Sequence, residues 1–497
     1  MSVKEILRWL DPKNQNLPKL RLERNFAKDP LVYIPVTEGG EKEWAKRFPL
    51  LKKRDFSGKK DETAEIIKSD QVVRFVGMGN GKGMTSRLMR RYVGQMYLES
   101  LKGKPQKVTI VCPEKWLTEA AAGIHVAALD PGMVKPHEKK KLVPEVTLSA
   151  PDLTKLQEAK KAVGEGMVIA EGKNLMRILG ALPPNILNQR TYAQICMELG
   201  KKWGVPCKRA HEKELKKYQL LNAVSLGSEQ KSELLMFKLD PKRGPTKEAT
   251  AVVGKGLCYD SGGLIGKQDH MKSMKEDMSG SAAALGAILT IVKNKWEIKE
   301  TTYFFLPLAQ NMMGSKAMRA DDVWMAGDGQ TVEIEHTDAE GRLVLADAIC
   351  YAKNNFKNIR RYYTIATLTG SCAVALGDIY TGTVCNNPVL TQTVEKAGRE
   401  TGDYVHAAPW DLEYDDYKSP IASLSNLGEN AREAGWIKGG LFMHHFIPKN
   451  KDGTDAAEFC HLDIAGSIDM FEKGKPWRRK GLNSGVGVNL LARLLTK

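Results

Sequence analysis

Residues 252–267 read VVGKGLCYDSGGLIGK, and MKEDMSG follows at 274–280. The apolar start and the glycines behind it are typical of a buried strand that ends in a tight turn. A second stretch, EIEHTDAEGRLVLADA at 333–348, leads from a polar segment into an apolar helix face. Similar alternation along the rest of the chain predicts an α/β fold, in which ligand sites gather where strands end.

Both stretches carry acids in surroundings that are apolar or glycine-rich enough to bury them, namely Asp260, Asp277, Asp338 and Glu340. Carboxylates that share a poorly solvated site raise each other's pKa, and binding cations relieves this cost. A pair of divalent ions would neutralise the four carboxylates, and paired metal ions are a recurring means of activating water. Oxygen ligands of this kind suit Zn²⁺, Mn²⁺ or Mg²⁺ and do not distinguish among them.

Each motif alone has a plainer interpretation. TDAEGR can be a solvated turn that caps a helix, and YDSGG can be an ordinary turn after a strand. Lys255 can be a charged partner of the acids. The occurrence of both motifs in one chain, with Lys255 and Lys267 interleaved, favours a single site built from both stretches.

The motifs resemble those of the leucyl aminopeptidases of peptidase family M17. The matching segments are VGKG at 253–256, YDSGG at 259–263, Lys267, DMSG at 277–280, TDAEGRLVLAD at 337–347, TLTG at 367–370 and HLDIAG at 461–466. His336 departs from the family signature, where an asparagine is usual. Ala320-Asp321 stands where Pro-Gly is usual, and the 260–277 segment is one residue shorter than in the family.

The resemblance implies two αβα-sandwich domains. The N-terminal α/β domain is expected over 1–165, and a C-terminal di-metal peptidase domain with a mixed, mostly parallel central sheet over 166–497. The helical spacing of apolar residues in 149–179 predicts the helix that connects the two domains.

The resemblance also implies the ligands of the site. Two divalent metal ions per subunit, zinc or alternatively manganese, cobalt or magnesium, would be held by Lys255, Asp260, Asp277, Asp338 and Glu340. Lys267 would polarise the substrate carbonyl, and Arg342 would hold a bicarbonate ion that acts as general base. An apolar pocket for the substrate side chain would be formed by Met274, Thr367, Gly370, Ala465 and Ile468.

The function implied is that of a metal-dependent aminopeptidase. It would release leucine-like N-terminal residues from short peptides by attack of a metal-bound hydroxide on the peptide carbonyl, and it would assemble as a homohexamer. Two alternatives remain open. The chain could be a dipeptidase of the Cys-Gly type, or a non-catalytic or moonlighting member of the fold that serves in assembly or binds nucleic acid.

The composition of the chain bears on its binding partners and its cellular location. The formal charge of +16 comes from basic residues scattered along the chain without interleaved aromatics, so nucleic-acid binding is the weaker interpretation. The eight cysteines form no CxxC pair, which is typical of a reducing compartment. No apolar run is long enough for a membrane span, and the N-terminal segment lacks the apolar region of a secretory signal peptide. We therefore expect a cytoplasmic protein, with the mitochondrion as the alternative.

Overall fold

The computed structural model describes residues 1–25, 29–68, 70–132, 135, 143–429, 433–469 and 475–496. Within these residues the chain forms two compact units. The smaller unit comprises Trp9–Asn174 and Gly474–Lys480, and the larger comprises Met1–Arg8, Leu175–Lys473 and Gly481–Lys497. In the described part of the chain, no helix combines the length and the apolar character that crossing a bilayer requires.

The smaller unit is built on a sheet with the strand order β1-β6-β5-β2-β4-β3. Its strands are β1 (Leu20–Glu23), β2 (Leu31–Val36), β3 (Thr63–Lys68), β4 (Gln71–Gly77), β5 (Lys107–Val111) and β6 (Glu145–Ser149). The edge strand β3 pairs antiparallel with β4, and the other neighbours pair in parallel. Its helices include α2 (Glu41–Arg47), α3 (Ser86–Ser100) and α4 (Leu117–Ala128), whereas most of the preceding α1 (Val3–Leu10) belongs to the larger unit. Val93 of α3 and Ile124 of α4 are fully buried in one core cluster with Leu148 of β6.

The helix predicted at 149–179 forms as α5 (Leu156–Ala181) and begins later than expected. Ser149 is the last residue of β6, and Pro151 follows in a turn, where its missing N–H costs nothing. The boundary predicted near residue 165 lies within this helix. The division between the compact units falls further along it, between Asn174 and Leu175.

The larger unit contains the remaining strands. They are β7 (Cys207–Arg209), β8 (Glu233–Leu239), β9 (Ala249–Gly254), β10 (Gly256–Asp260), β11 (Thr301–Asn311), β12 (Val323–Met325), β13 (Thr331–Glu333), β14 (Ile359–Ala366), β15 (Thr381–Cys385), β16 (Val405–Ala407), β17 (Leu424–Ser425) and β18 (Glu458–Asp463). The main sheet has the order β16-β15-β18-β14-β9-β11-β8-β7, with β10 also pairing with β11, and β12-β13-β17 form a separate small sheet.

The main sheet is mixed and mostly parallel, as predicted. Antiparallel pairing occurs at β15 with β18, β11 with β8 and β8 with β7. The central strands β14, β9 and β11 run in parallel. Every residue of β9 is buried, which is typical of a parallel strand covered on both faces.

Helices cover both faces of this sheet. They are α6 (Gln189–Trp203), α7 (Glu212–Leu215), α8 (Gln219–Val224), α9 (Ser279–Asn294), α10 (Gly341–Asn355), α11 (Gly370–Leu376), α12 (Pro388–Thr401), α13 (Gly435–His444) and α14 (Val488–Leu495). Ala251 and Val253 of β9 share a buried cluster with α8, α10 and α13. Gly254 faces α9 instead, where a Cβ would come within 2.7 Å of the Gly280 carbonyl oxygen. The predicted α/β class and sandwich layering are confirmed.

Candidate metal centre and active site

The predicted site residues lie at the ends of elements in the larger unit. Lys255 follows β9 directly, and Asp260 is the last residue of β10. Asp277 lies two residues before α9, and Glu340 is the residue before the first turn of α10. The carboxyl ends of the parallel strands and the amino ends of the helices therefore meet at one place. The partial positive charge of a helix N-terminus favours carboxylates there.

Three of the four acids lie together in one cluster. Asp260, Asp277 and Glu340 are buried, and each offers a carboxylate oxygen within 4.8 Å of the others. Asp338 lies at the more open side, with 31% of its side chain exposed, and reaches the cluster through an ion pair with Lys267. Lys267 Nζ also lies 2.7 Å from Asp260 Oδ2.

Lys255 occupies the floor of the cluster. Its Nζ lies 2.9 Å from Asp277 Oδ2 and 3.1 Å from Glu340 Oε1, and it donates a hydrogen bond of 3.0 Å to the Thr367 carbonyl oxygen. Gly341 makes this approach possible, because a Cβ at that position would lie 2.6 Å from Nζ. A larger residue at 341 would push the lysine away from the acids.

The electrostatics of the cluster are those of crowded, buried carboxylates. Burial, and next to it the neighbouring Asp260, raises the pKa of Glu340 to about 8. Burial is also the main reason that the pKa of Asp277 rises to about 7. Burial alone would lower the pKa values of Lys255 and Lys267, but the surrounding carboxylates reverse this and raise both. In the absence of metal ions both lysines are protonated. Their two ammonium groups are too few to neutralise the surrounding carboxylates.

This arrangement fits divalent cations. Among the described residues, two lysines face four carboxylates, so negative charge remains uncompensated. Glu340 Oε2 is buried and receives no hydrogen bond within the described chain. A buried carboxylate oxygen without a donor is costly, and a metal ion supplies the missing partner. A neutral Lys255 amine could join the ligands, since adjacent cations would lower its pKa.

The loop after β10 depends on glycine. Gly262 and Gly263 have φ of 83° and 62°, in the left-handed region that glycine adopts without strain. A Cβ on Gly262 would meet the Lys267 backbone nitrogen at 2.9 Å. The Gly262 carbonyl oxygen accepts a hydrogen bond of 2.7 Å from the Thr337 hydroxyl. The two predicted stretches are thus joined by direct contacts.

Arg342 lies in the first turn of α10, and one side of its guanidinium group is bound by neighbouring residues. Its Nη1 donates to the Tyr417 hydroxyl at 3.0 Å and to the Asn426 carbonyl oxygen at 2.9 Å. The guanidinium carbon also lies 5.7 Å from the Tyr417 ring centroid and 5.8 Å from that of Phe442. Arg342 Nε is buried and has no acceptor in the described part of the chain. That donor fits a small anion such as bicarbonate.

A cavity of about 470 Å³ opens above the acids. Of the residues predicted for the site, those that line it are Lys255, Asp260, Lys267, Met274, Asp277, Asp338, Glu340, Thr367, Gly370 and Ala465. Within the described residues, the lining does not include Arg342 or Ile468. Ile468 is fully buried. His336 does line the cavity, and its Nδ1 accepts a hydrogen bond of 3.2 Å from the Asp338 backbone N–H.

Two supporting residues were not predicted. Asn311, the last residue of β11, donates to Asp260 Oδ1 at 2.9 Å and to the Thr337 carbonyl oxygen at 3.0 Å. Asp463, at the end of β18, accepts the backbone N–H groups of Leu368 and Thr369 beside the cavity. Both residues end strands of the parallel part of the sheet, and that position is a signal which strand-end reasoning could have used.

Comparison with known proteins identifies the family. The model for the catalytic domain of the cytosol aminopeptidase family matches residues 174–492. The chain belongs to the cytosol aminopeptidase family. A probable cytosol aminopeptidase of Koribacter versatilis is 31% identical over 479 residues, which is 90% of either chain. One from Chlorobaculum tepidum is 35% identical over 401 residues, covering 79% of this chain and 76% of its own.

Solved structures share the fold of this chain. The bottromycin maturation enzyme BotP is 25% identical, with a TM-score of 0.78 over 94% of this chain and 98% of its own. A mutant of tomato leucine aminopeptidase is 23% identical and has a TM-score of 0.82 over 97% of either chain, which shows the shared fold. Family membership makes the chain a metal-dependent aminopeptidase, a hydrolase that acts on peptides.

Proposed function

We propose that the protein releases the N-terminal residue from short peptides, with a preference for leucine-like side chains. The observation that carries the proposal is the buried cluster of Asp260, Asp277 and Glu340 within 4.8 Å at the base of an open cavity. Carboxylates have no reason to crowd in this way in a protein that only packs or assembles. The cluster therefore favours the peptidase over a non-catalytic role.

We assign two divalent metal ions to the cluster. One would be held by Asp260, Asp338 and Glu340, and the other by Lys255 and Asp277 together with the shared Asp260 and Glu340. Zinc is our first assignment. Manganese, cobalt and magnesium are alternatives, because carboxylate oxygens bind all of these ions. When bound, such ions act as Lewis acids that polarise a carbonyl group and lower the pKa of water.

The chain's own residues complete the chemistry. Lys267 reaches into the cavity from the loop after β10, and its Nζ lies 2.7 Å from Asp260 Oδ2. We assign it the protonated state. Its ammonium group would donate to the peptide carbonyl oxygen as negative charge develops there. The free α-amine of the peptide would lie at the acidic end of the cavity, which restricts the reaction to N-terminal residues.

Arg342 would bind the bicarbonate ion through its Nε, the side of the guanidinium turned away from Tyr417 and Asn426. Bound there, bicarbonate would supply a proton acceptor at the start of α10, the helix that Glu340 directly precedes. Arg342 would act by holding this anion in place, since an arginine does not itself lose a proton in a protein.

The side chain of the N-terminal residue would enter the part of the cavity lined by Met274, Thr367, Gly370 and Ala465. Methionine is flexible and suits a pocket for leucine-sized groups. We place Ile468 behind this pocket as a packing residue. A Cys-Gly-type dipeptidase would use the same centre, so side-chain preference is what separates the two activities. The homohexamer and the cytoplasmic location stay predictions.

The Glu340→Gln substitution tests the assignment. It removes a shared ligand while keeping the size of the side chain, so we expect bound metal to fall and hydrolysis of leucyl anilide to drop by about 1000-fold, equivalent to ~4 kcal/mol. Metal content would be measured by elemental analysis beside the assay. The matched control is Glu335→Gln in the same segment, whose carboxylate accepts from Ser425. Full activity and metal content in the Glu340 variant would reject the proposal.

The Arg342→Lys substitution tests the anion site. Lysine keeps the charge but cannot donate to Tyr417 and Asn426 while also holding a planar anion. We expect kcat to fall by about 100-fold, the scale of a lost general base, with metal content unchanged. Added bicarbonate should stimulate the wild type and leave the variant unaffected. An equal response to bicarbonate in both proteins would exclude the assignment, and Arg319→Lys on the exposed surface serves as control.

A further inference from the structure

A pair of cysteines lies outside the metal centre, across two strands of the main sheet. Cys385 ends β15, and Cys460 lies directly opposite it in β18 in the antiparallel register. At the next position along, the Asn386 N–H donates to the Phe459 carbonyl oxygen at 3.1 Å. Hydrogen-bonded and non-hydrogen-bonded pairs alternate in such a ladder, so Cys385 and Cys460 form a non-hydrogen-bonded pair. Opposed side chains approach each other most closely at such pairs.

The two thiols lie within hydrogen-bonding distance of the same hydroxyl group. The hydroxyl of Thr383 lies 3.1 Å from Cys460 Sγ and 3.5 Å from Cys385 Sγ, so both sulfurs share one neighbour. Directly opposed residues have their Cβ atoms within about 5 Å, close to the separation that a disulfide spans. The strand register thus brings the two Cβ atoms near the separation that a disulfide needs.

Cys385 is the more reactive member. It lies just before α12, which begins at Pro388 with Asn387 as its cap, and a helix N-terminus favours a thiolate. A hydrogen bond with Cys460, followed by those with Thr383 and Thr391, lowers the pKa of Cys385. Burial instead raises the pKa of Cys460. We therefore take Cys385, whose exposed fraction is 4%, as the attacking thiol and the fully buried Cys460 as the resolving thiol.

We propose that Cys385 and Cys460 form a reversible cross-strand disulfide when the protein meets a hydroperoxide. The Cys385 thiolate attacks one peroxide oxygen and breaks the O–O bond, which gives a sulfenic acid and, with hydrogen peroxide, one water. Cys460 then attacks the sulfenic sulfur, the S–O bond breaks, and a second water leaves. Two thiols are oxidised by two electrons and one peroxide is reduced to two waters. A thiol reductant reverses the reaction by disulfide exchange.

The disulfide would join a strand that ends at the active site. Asp463 closes β18 three residues after Cys460, and its carboxylate accepts the N–H groups of Leu368 and Thr369, which line the cavity. The paired segment of β15 and β18 has Asp463 at one end and Cys460 at the other, so the disulfide would join the two strands at the end away from Asp463. The site of oxidation is thus connected to the cavity wall by one continuous strand.

Thiol mapping after peroxide treatment tests the proposal. The full-length protein is exposed to hydrogen peroxide until the exposed Met313 is oxidised, which shows that the reagent has acted. Remaining thiols are then alkylated under denaturing conditions, and the peptides are analysed by mass spectrometry with and without reductant. We expect complete loss of alkylation at Cys385 and Cys460, one cross-linked peptide pair, and full recovery of both thiols after reduction.

Variants make the result specific. Cys385→Ser and Cys460→Ser should each abolish the cross-linked peptide, whereas Cys112→Ser, which removes a buried cysteine of the smaller unit, should leave it unchanged. The proposal is overturned if the wild type still alkylates at both positions once Met313 is oxidised. Sulfinic acid at Cys385 beside a free Cys460 thiol, or a disulfide between separate chains, would overturn it equally.

Discussion

At the scale of single residues, the metal centre depends on how closely groups of opposite charge can approach. Lys255 lies within 3.1 Å of two acids, and residue 341, which has no side chain, leaves space for the lysine there. The neighbouring Glu340 ends in an oxygen without a donor in the described chain. Gly341 is the fourth residue of the DAEGR motif and lies between the charged residues Glu340 and Arg342.

Gly341→Ala should therefore disable the site while the protein stays folded. The new Cβ would lie 2.6 Å from Lys255 Nζ and 2.7 Å from its Cε, so the lysine must move. Displacement of about 1 Å at a catalytic group can cost ~100-fold, and we expect a fall in kcat of this size. Steady-state kinetics with a leucyl anilide would measure it.

The control for this substitution is Gly164→Ala in α5, where a Cβ meets nothing within 4 Å. It should leave activity unchanged. Wild-type kcat in the Gly341 variant would show that the position of Lys255 does not matter to the reaction.

At the scale of elements, helix α4 carries a buried histidine in the smaller unit. His125 Nε2 lies 3.0 Å from the Pro18 carbonyl oxygen, so the neutral ring donates its N–H there. Burial lowers the pKa of His125 to about 4. The folded helix thus excludes the protonated form, whereas an unfolded chain accepts a proton near pH 6.5.

Acid should destabilise the protein through His125. Because its folded pKa is depressed, the contribution is complete above pH 6.5 and is lost as the pH falls towards 4, by about 3 kcal/mol. Urea unfolding at pH 7 and pH 4.5 would measure the change in the wild type and in His125→Phe, which cannot titrate. We expect the variant to lose less stability between the two pH values. The exposed His211 provides the control as His211→Asn, and equal losses in all three proteins would contradict the prediction.

At the scale of the whole molecule, stability and metal binding should be linked. The acids come from segments far apart in the chain, and bringing them together costs free energy that bound cations offset. A ligand that binds only the folded state stabilises it by about 4 kcal/mol at a concentration of ~1000 times its Kd. The folded larger unit should therefore depend on its ions.

Removing metal with a chelator should lower the unfolding temperature, and adding Zn²⁺ or Mn²⁺ back should restore it. Differential scanning calorimetry of the wild type and of Glu340→Gln would measure this shift. The variant lacks a shared ligand, so its shift should be smaller. Identical unfolding in chelator and in excess metal would argue against resident ions in this protein.

The sequence alone determined the α/β class, and it singled out four acids as candidates for one site. These features are local: apolar periodicity predicts strands and helices, and glycine beside acid at a strand end marks a candidate site. The mixed and mostly parallel sheet was expected only from the resemblance to a known family. The start predicted for the helix at 149–179 was wrong, because the spacing of apolar residues did not show that Ser149 is the last residue of a strand.

The tertiary structure alone decided which groups touch. It showed that Asn311 supports Asp260, that Tyr417 and Asn426 hold Arg342, and that Cys385 faces Cys460. These contacts join residues far apart in the chain, and a slip of one residue in strand pairing would turn every side chain to the other face. Local patterns carry no information about that register, since it is set by the packing of both faces of the sheet at once.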